Sequence, residues 1–219
     1  MDKSKLHLLN KEPSIADHFL AELRDVNVQQ DRMRFRRNLE RLGEVFAYRI
    51  STKLDYETKA IQTPLGSCSI PLLKEYPVLA TVLRAGLPFY QGFLNYFDKS
   101  ENSFAGAYRV EGEGNTDVQI HFEYLVAPVL EGKVLILADP MLATGKSLVQ
   151  TYKGMLRFGC PKQVHIACVI ASPEGVSYIQ EHIPQAEVWV GALDTCLNEQ
   201  SYIVPGLGDA GDLAFGRKI

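Results

Sequence analysis

The chain has 219 residues, 46% of them apolar and 22% charged, with a formal charge of −3. That length suits one domain with a real core, and the negative balance gives no electrostatic case for nucleic acid. No apolar run approaches the ~20 residues of a membrane span, the N-terminus lacks the apolar stretch of a secretory signal, and the four cysteines and five histidines show no metal-ligand spacing; a cytoplasmic protein with reduced thiols and no protein-built metal site is expected.

Residues 1–13 are polar and are expected to be an arm, part of an N-terminal arm reaching about residue 28. From 29 to 50, Phe35, Leu39, Leu42 and Phe46 recur at steps of four, three and four, which is one helix face. Arg32, Arg34, Arg36, Arg37 and Arg41 lie on the same helix. They read either as a solvated face partly paired with Glu40 and Glu44 or as a patch facing phosphate or another subunit. Residues 51–75, with Thr63-Pro64-Leu65-Gly66 and Ser69-Ile70-Pro71, read as loop with a short hairpin.

Residues 77–83 (PVLATVL) read as a strand buried on both faces, ending at Arg84-Ala85-Gly86-Leu87 and followed by an apolar-rich helix over 88–97. A third strand covers 104–108 and ends at Arg109. Residues 110–117 (VEGEGNTD) are expected to be a flexible excursion, and 118–126 a returning hairpin strand. The run 134–138 (VLILA) is another buried strand, stopped by Asp139 and Pro140; Thr144, Gly145, Lys146 and Ser147 then feed a helix over 147–158. Strands over 164–171 and 188–193 flank a helix starting at Pro173. This alternation predicts an α/β fold with a mostly parallel central sheet flanked by helices. The tail from 195 breaks the pattern and reads as irregular, with Pro205, Gly206, Gly208, Gly211 and Gly216.

Two nucleotide motifs fail. The TGKS at 144–147 lacks the glycine that a P-loop needs five residues before Gly145, where Pro140 stands. Gly206-x-Gly208-x-x-Gly211 satisfies GxGxxG, but the chain ends before the acid about 20 residues on that a dinucleotide site requires. What remains is Arg84, Arg109 and Asp139, each at the end of a predicted strand and so on one edge of a parallel sheet. Guanidinium groups grip phosphate oxygens in a bidentate fork, a carboxylate accepts from ribose hydroxyls, and a helix N-terminus holds phosphate. The combination suits a ligand with several phosphates and a ribose. Each arginine alone could equally cap the sheet edge against a surface acid.

Three segments together resemble the uracil phosphoribosyltransferases. Asp139-Pro140-Met141-Leu142-Ala143-Thr144-Gly145-Lys146-Ser147 resembles the family's phosphoribosyl-diphosphate loop, Leu83-Arg84-Ala85-Gly86-Leu87 its upstream diphosphate segment, and Leu197-Asn198-Glu199 with 202–212 its uracil-binding tail. The likeness runs from about Arg34 to Gly216. It implies a type I phosphoribosyltransferase fold, a single domain over 1–219 with a hood built from N- and C-terminal segments. It implies that uracil and 5-phosphoribosyl 1-diphosphate give UMP and diphosphate. By the resemblance, Arg84 and Arg109 contact the donor, residues Asp139 to Ser147 hold its ribose and 5-phosphate, Asp209 contacts it too, and Ile203, Gly208, Asp209 and Ala210 hold uracil. Arg84 and Asp209 are the residues expected to matter most for catalysis. Mg²⁺ carried by the diphosphate, a homodimer or higher oligomer, and a GTP effector in some relatives are further implications.

Two positions depart from the family pattern. Lys146 stands where the loop usually has glycine, and the arm after Arg109 is EGEGNTD rather than the usual acidic arm of set length. A nucleotide-sensing RNA regulator on the same fold would have two adjacent acids at the end of the loop strand; here Pro140 follows Asp139. A transferase acting on another base is the third reading, and the tail points to uracil.

Overall fold

In the run Val134–Ala138, Val134, Ile136 and Ala138 face one core while Leu135 and Leu137 face a second. Both sides of this strand are covered, so no alternation of polar and apolar residues is needed to form it. The same logic sets the whole molecule, a parallel sheet between two helical layers. The computed structural model describes residues 2–110 and 119–217, with the side chains of all of these except Lys3, 107–110 and 119–123.

In chain order the elements are β1 (Leu6–Leu8), α1 (Ile15–Arg24), α2 (Arg32–Ser51), β2 (Tyr56–Thr63), β3 (Gly66–Leu73), β4 (Val78–Leu83), α3 (Gly86–Tyr96), β5 (Asn102–Val110), β6 (Gln119–Val126), β7 (Val134–Ala138), β8 (Met141–Leu142), α4 (Lys146–Met155), β9 (Gln163–Ala171), α5 (Pro173–His182), β10 (Glu187–Leu193), β11 (Cys196–Leu197), β12 (Ile203–Val204) and α6 (Ala210–Phe215). The main sheet has the order β1-β10-β9-β7-β4-β5-β6, with β8 beside β9. Every pairing in it is parallel except β5 with β6. Residues of α1, α2, α3 and α6 pack on one face and residues of α4 and α5 on the other.

The chain leaves β4 through α3 toward β5 on one side, and leaves β7 through α4 toward β9 on the other. Connections that part in opposite directions open a crevice outside the carboxyl ends of the two strands, which is where ligands bind in open α/β sheets. Arg84 follows β4 and Asp139 follows β7, so the topology sets both at that crevice.

Three expectations need correcting. The N-terminal arm is not a free tail: β1 completes the sheet edge in parallel with β10, Leu6 opposite Val188 and Leu8 opposite Val190. A three-residue strand is too short to show periodicity. Helix α1 follows, opened by a capping box in which Ser14 accepts from the backbone and Asp17 answers back. Residues 51–75 form more than a short hairpin, with β2 and β3 pairing over eight residues each. Nearly every residue of this ribbon is exposed, so burial leaves no pattern in its sequence. The tail is also ordered, with the β11–β12 pair and α6. The excursion expected at 110–117 lies outside the described residues beyond Val110.

Candidate functional site

The loop after β7 is fastened from below. The Asp139 N–H donates to the Ala167 carbonyl at 3.0 Å, and the Pro140 carbonyl accepts from Val169 and Ile170 at 3.0 and 3.1 Å. The Leu142 carbonyl accepts from Ser172 N at 2.9 Å, and the Ala143 carbonyl from Ser172 Oγ at 2.6 Å. Ser172 also caps α5 by accepting from Gly175 N at 2.9 Å. The carbonyls are thus consumed by β9 and α5, and Pro140 and Leu142 are buried scaffolding. On the other side, Gly145 takes the left-handed conformation, φ 76°, as the N-cap of α4. Among the described residues no acceptor meets the N–H groups of Thr144, Gly145 or Ser147, and Lys146 N has only Thr144 Oγ1 at 3.5 Å. Unpaired N–H groups at a helix start form an anion cradle.

Lys146 is the first residue of α4 and has no positive φ. The left-handed position is Gly145, so lysine at 146 imposes no backbone strain. Asp139 accepts from Met141 N at 3.0 Å. Burial nevertheless pushes its carboxyl up to about 6, against the opposing pull of that hydrogen bond.

Two close approaches join the other segments to this loop. Thr81, fully buried in β4, donates to the Ala138 carbonyl at 2.8 Å. A Cβ at Gly86 would lie 2.0 Å from Thr81 Oγ1 and 3.4 Å from the Ala138 carbonyl, so the turn after Arg84 seats against the end of β7 only with glycine there. A Cβ at Gly211 would lie 3.8 Å from Ala85 Cβ, which puts the start of α6 beside the same turn. Arg84 reaches across to α6, its Nη2 3.4 Å from Asp212 Oδ1 and 3.2 Å from the Gly216 carbonyl. Both side chains of that ion pair are well exposed, so the pair is weak and an anionic ligand can take the guanidinium from it.

In the tail, Ile203 is buried in β12 and Ala210 is buried at the start of α6, while Gly208 is exposed with φ 95°. Asp209 is the N-cap of α6 and accepts from Asp212 N at 2.9 Å. A cavity of about 310 Å³ opens beside this segment, lined by Gly208, Asp209, Asp212, Gln29, Arg32 and Arg217 among others. The structure therefore gathers Arg84, the Asp139-to-Ser147 loop and the tail. Arg109 is placed differently. Gly106 pairs with Leu83 at the end of β4, and Arg109 lies three residues farther along β5, opposite Ile120. That is roughly 10 Å beyond the sheet edge at the rise of an extended strand. The Arg109 side chain lies outside the described ones.

The arginines of α2 are mostly engaged within the chain. Arg34 forks onto Glu22 at 2.8 and 2.5 Å, Arg36 donates to the Ala214 carbonyl at 2.7 Å, Arg37 pairs with Glu40 at 2.8 Å, and Arg41 sits over the Phe19 ring. Glu44 bonds Asn95. Sequence reasoning missed Arg24, Gln29 and Asp194, which hold the backbone of the tail. No local signal could reveal them, because Arg24 and Gln29 lie more than 170 residues from their tail partners and Asp194 lies 170 residues from Arg24. Ser172 before Pro173 did carry a signal, that of a helix N-cap.

A sequence model of the uracil phosphoribosyltransferases matches residues 10–217. A protein of Porphyromonas gingivalis named uracil phosphoribosyltransferase is 51% identical over 214 residues, covering 96% of this chain and 98% of that one. One of the same name from Thermococcus gammatolerans is 38% identical over 203 residues, covering 91% and 88%. The solved structure of the AQ2163 protein from Aquifex aeolicus superposes with a TM-score of 0.84 at 31% identity, covering 97% of this chain and 99% of that one.

Proposed function

This chain belongs to the uracil phosphoribosyltransferase family, enzymes that make UMP from uracil in pyrimidine salvage, and we propose that it performs the transfer in the crevice between β4 and β7. The N–H cradle at residues 144–147 takes the 5-phosphate of the donor. Ionised Asp139 accepts from the ribose hydroxyls. Arg84 leaves Asp212 to grip the diphosphate, with Arg109 arriving from the β5–β6 ribbon and Asp209 contacting the donor from the tail. Uracil lies against Ile203 and the backbone of Gly208, Asp209 and Ala210, whose N–H and C=O groups match a planar base with one imide donor and two carbonyl acceptors.

In the reaction, N1 of uracil bonds to the anomeric carbon as the bond from that carbon to the diphosphate oxygen breaks. The N1 proton passes to water. Positive charge builds on the ribose and negative charge on the leaving diphosphate, so the chain's work is to position the two reactants and to meet the developing charge with Arg84 and the N–H cradle. Mg²⁺ is part of the proposal. It keeps waters and substrate oxygens as most of its ligands, so, carried in on the diphosphate, it would need no cluster of protein carboxylates, and none is found among the described residues; bound there it would neutralise the diphosphate.

The observation that supports this reading most directly is the meeting of three segments distant in sequence, with Gly86 against the end of β7 and Gly211 against Ala85. The test is UMP formation from uracil, donor and Mg²⁺, with cytosine, hypoxanthine and orotate as alternatives and with GTP present and absent. UMP from uracil alone is expected, and rate enhancement by GTP would add the effector. No UMP under any of these conditions would overturn the assignment. We further propose a homodimer in which the β2–β3 ribbon packs on a second copy. A lone two-stranded ribbon is marginal in water, and this one leaves Leu65 99% exposed at its tip and Ile61, Ile70 and Leu72 exposed along its strands. Light scattering on wild type and Ile70→Asp tests it: dimer mass for the first and monomer for the second is the expected result.

A further inference from the structure

Between Ile203 and Gly208 the tail makes one sharp turn, at Gly206. Its φ is 62°, and a Cβ there would lie 2.1 Å from the Ile203 carbonyl oxygen, so only glycine permits the turn. Both backbone polar groups of Gly206 are held by a single ion pair. Arg24, the last residue of α1, forks onto Asp194 with Nη2 to Oδ1 at 2.6 Å and Nη1 to Oδ2 at 2.9 Å. Asp194 Oδ2 accepts the Gly206 N–H at 2.8 Å, and Arg24 Nη1 also donates to the Gly206 carbonyl at 3.0 Å. The next carbonyl, Leu207, accepts from Gln29 Nε2 at 3.2 Å, and the same amide donates to the Leu23 carbonyl at 2.9 Å.

We propose that Arg24 and Asp194 are positioning residues for the base: by clamping Gly206 they set where Ile203 and Gly208 meet uracil. This rests on the assignment of uracil to that segment. Neither residue touches the base. Asp194 directly follows β10, its own N–H donates to the Ala171 carbonyl at 2.8 Å, and its residue is only 9% exposed. The clamp therefore ties the turn to the rigid sheet rather than to another loop. Buried ion pairs add little net stability compared with apolar replacements, but this one fixes two backbone groups of a turn. Uracil is small, planar and read largely by backbone, so its affinity depends on the backbone's placement more than on any side chain. Misplacing a binding group by about 1 Å loses roughly 10²-fold in such sites. The fork is also selective for its residue types. Lysine is a point charge that cannot span both Asp194 oxygens and the Gly206 carbonyl. An asparagine at 194 keeps one oxygen that can still accept from Arg24 Nη1 and the Gly206 N–H, but it sets an NH2 donor against the Nη2 donor of Arg24 and so breaks the fork.

Asp194→Asn, Arg24→Lys and the double variant test this, by steady-state kinetics in each substrate, by calorimetric binding of uracil to the enzyme, and by amide hydrogen exchange over residues 203–210. Expected is a rise in KM for uracil of about 10-fold or more with the donor KM within about 2-fold, faster exchange in that peptide, and a double variant no worse than the poorer single one, since both act on one clamp. Wild-type uracil KM and exchange in both single variants overturn the proposal. So does a parallel loss in both substrates with a matching fall in melting temperature, or failure of both conservative variants to fold, each of which marks a general structural role. If wild type itself turns over no uracil, the base assignment fails. Wild-type turnover with unmoved uracil KM in the variants defeats the clamp alone.

Discussion

Replacing Gly175 with alanine would set a methyl carbon 2.3 Å from the Ala143 carbonyl oxygen and 2.8 Å from that of Leu142. Both obstacles are backbone atoms, and both already accept from Ser172, at 2.6 and 2.9 Å. Ordinary contact begins at 3.4 Å, so α5 and the loop after β7 must part by about 1 Å, and overpacking forces backbone shifts of this kind. Strain of that kind costs about 1–3 kcal/mol, which in a chain of this size lowers the melting temperature by about 2–4 °C per kcal/mol. The larger effect is on the donor. A displaced N–H cradle is expected to lower kcat/KM for 5-phosphoribosyl 1-diphosphate by about 10²-fold, some 2.7 kcal/mol of transition-state stabilisation. Uracil KM should move less, because the atoms that a Cβ at Gly175 meets belong to Leu142 and Ala143. Steady-state kinetics with each substrate varied in turn make the measurement. Wild-type donor kinetics in a folded variant, or equal losses for both substrates, would refute the link between α5 packing and the cradle.

Arg84→Ala and Asp209→Ala should each lower kcat/KM by about 10²-fold or more, or about 2.7 kcal/mol; near wild-type turnover in either removes its role. Lys146→Gly should weaken donor binding by a few-fold at most, since the position is an ordinary helix start; a marked gain in the glycine variant contradicts a helpful lysine. With the Asp139 carboxyl raised to about 6 by burial, donor affinity should fall as pH drops through 6. In the ligand-free protein the folded state keeps that proton in a window, from about 4 to 6, where the unfolded chain has lost it. Stability from this group is therefore lost as pH rises through the window, by at most about 3 kcal/mol. Asp139→Asn should melt above wild type at pH 7 and level with it near pH 4; a gap independent of pH refutes the shift. Burial pushes His165 the other way, down to about 4. Its contribution is present above the ordinary value of about 6.5 and is lost as pH falls toward 4. Trp189, the chain's one tryptophan, donates to His165 Nδ1 at 3.0 Å, so in a His7→Phe background, which removes the other imidazole stacked on the indole, its fluorescence should hold steady to about pH 5 and change near 4.

The central strands were legible because covering both faces demands unbroken apolar runs. The run 134–138 agrees with β7 residue for residue, and Pro173 marks the start of α5. The α2 helix was legible from one apolar face, Phe35 to Phe46, now buried against α3. The β2–β3 ribbon was harder to read because, among the described residues, little beyond its ends at Thr63 and Leu73 is covered. Helix α6 was missed because its six residues follow a run of glycines that reads as loop.

Local chemistry was enough to mark the segments of the candidate site: a strand stop at Asp139, a helix start at Gly145, an arginine turn at Arg84 and a glycine-rich tail. These depend on neighbours within a few residues, and such neighbours are visible in one dimension. What only the tertiary structure decided is how they are held together. Thr81 ties β4 to the end of β7, Ser172 pulls the loop carbonyls away so that its N–H groups face outward, and Arg24 with Asp194, 170 residues apart, fixes the turn at Gly206. Long-range hydrogen bonds leave no periodic trace, because each end satisfies its partner in space and constrains nothing beside it in sequence.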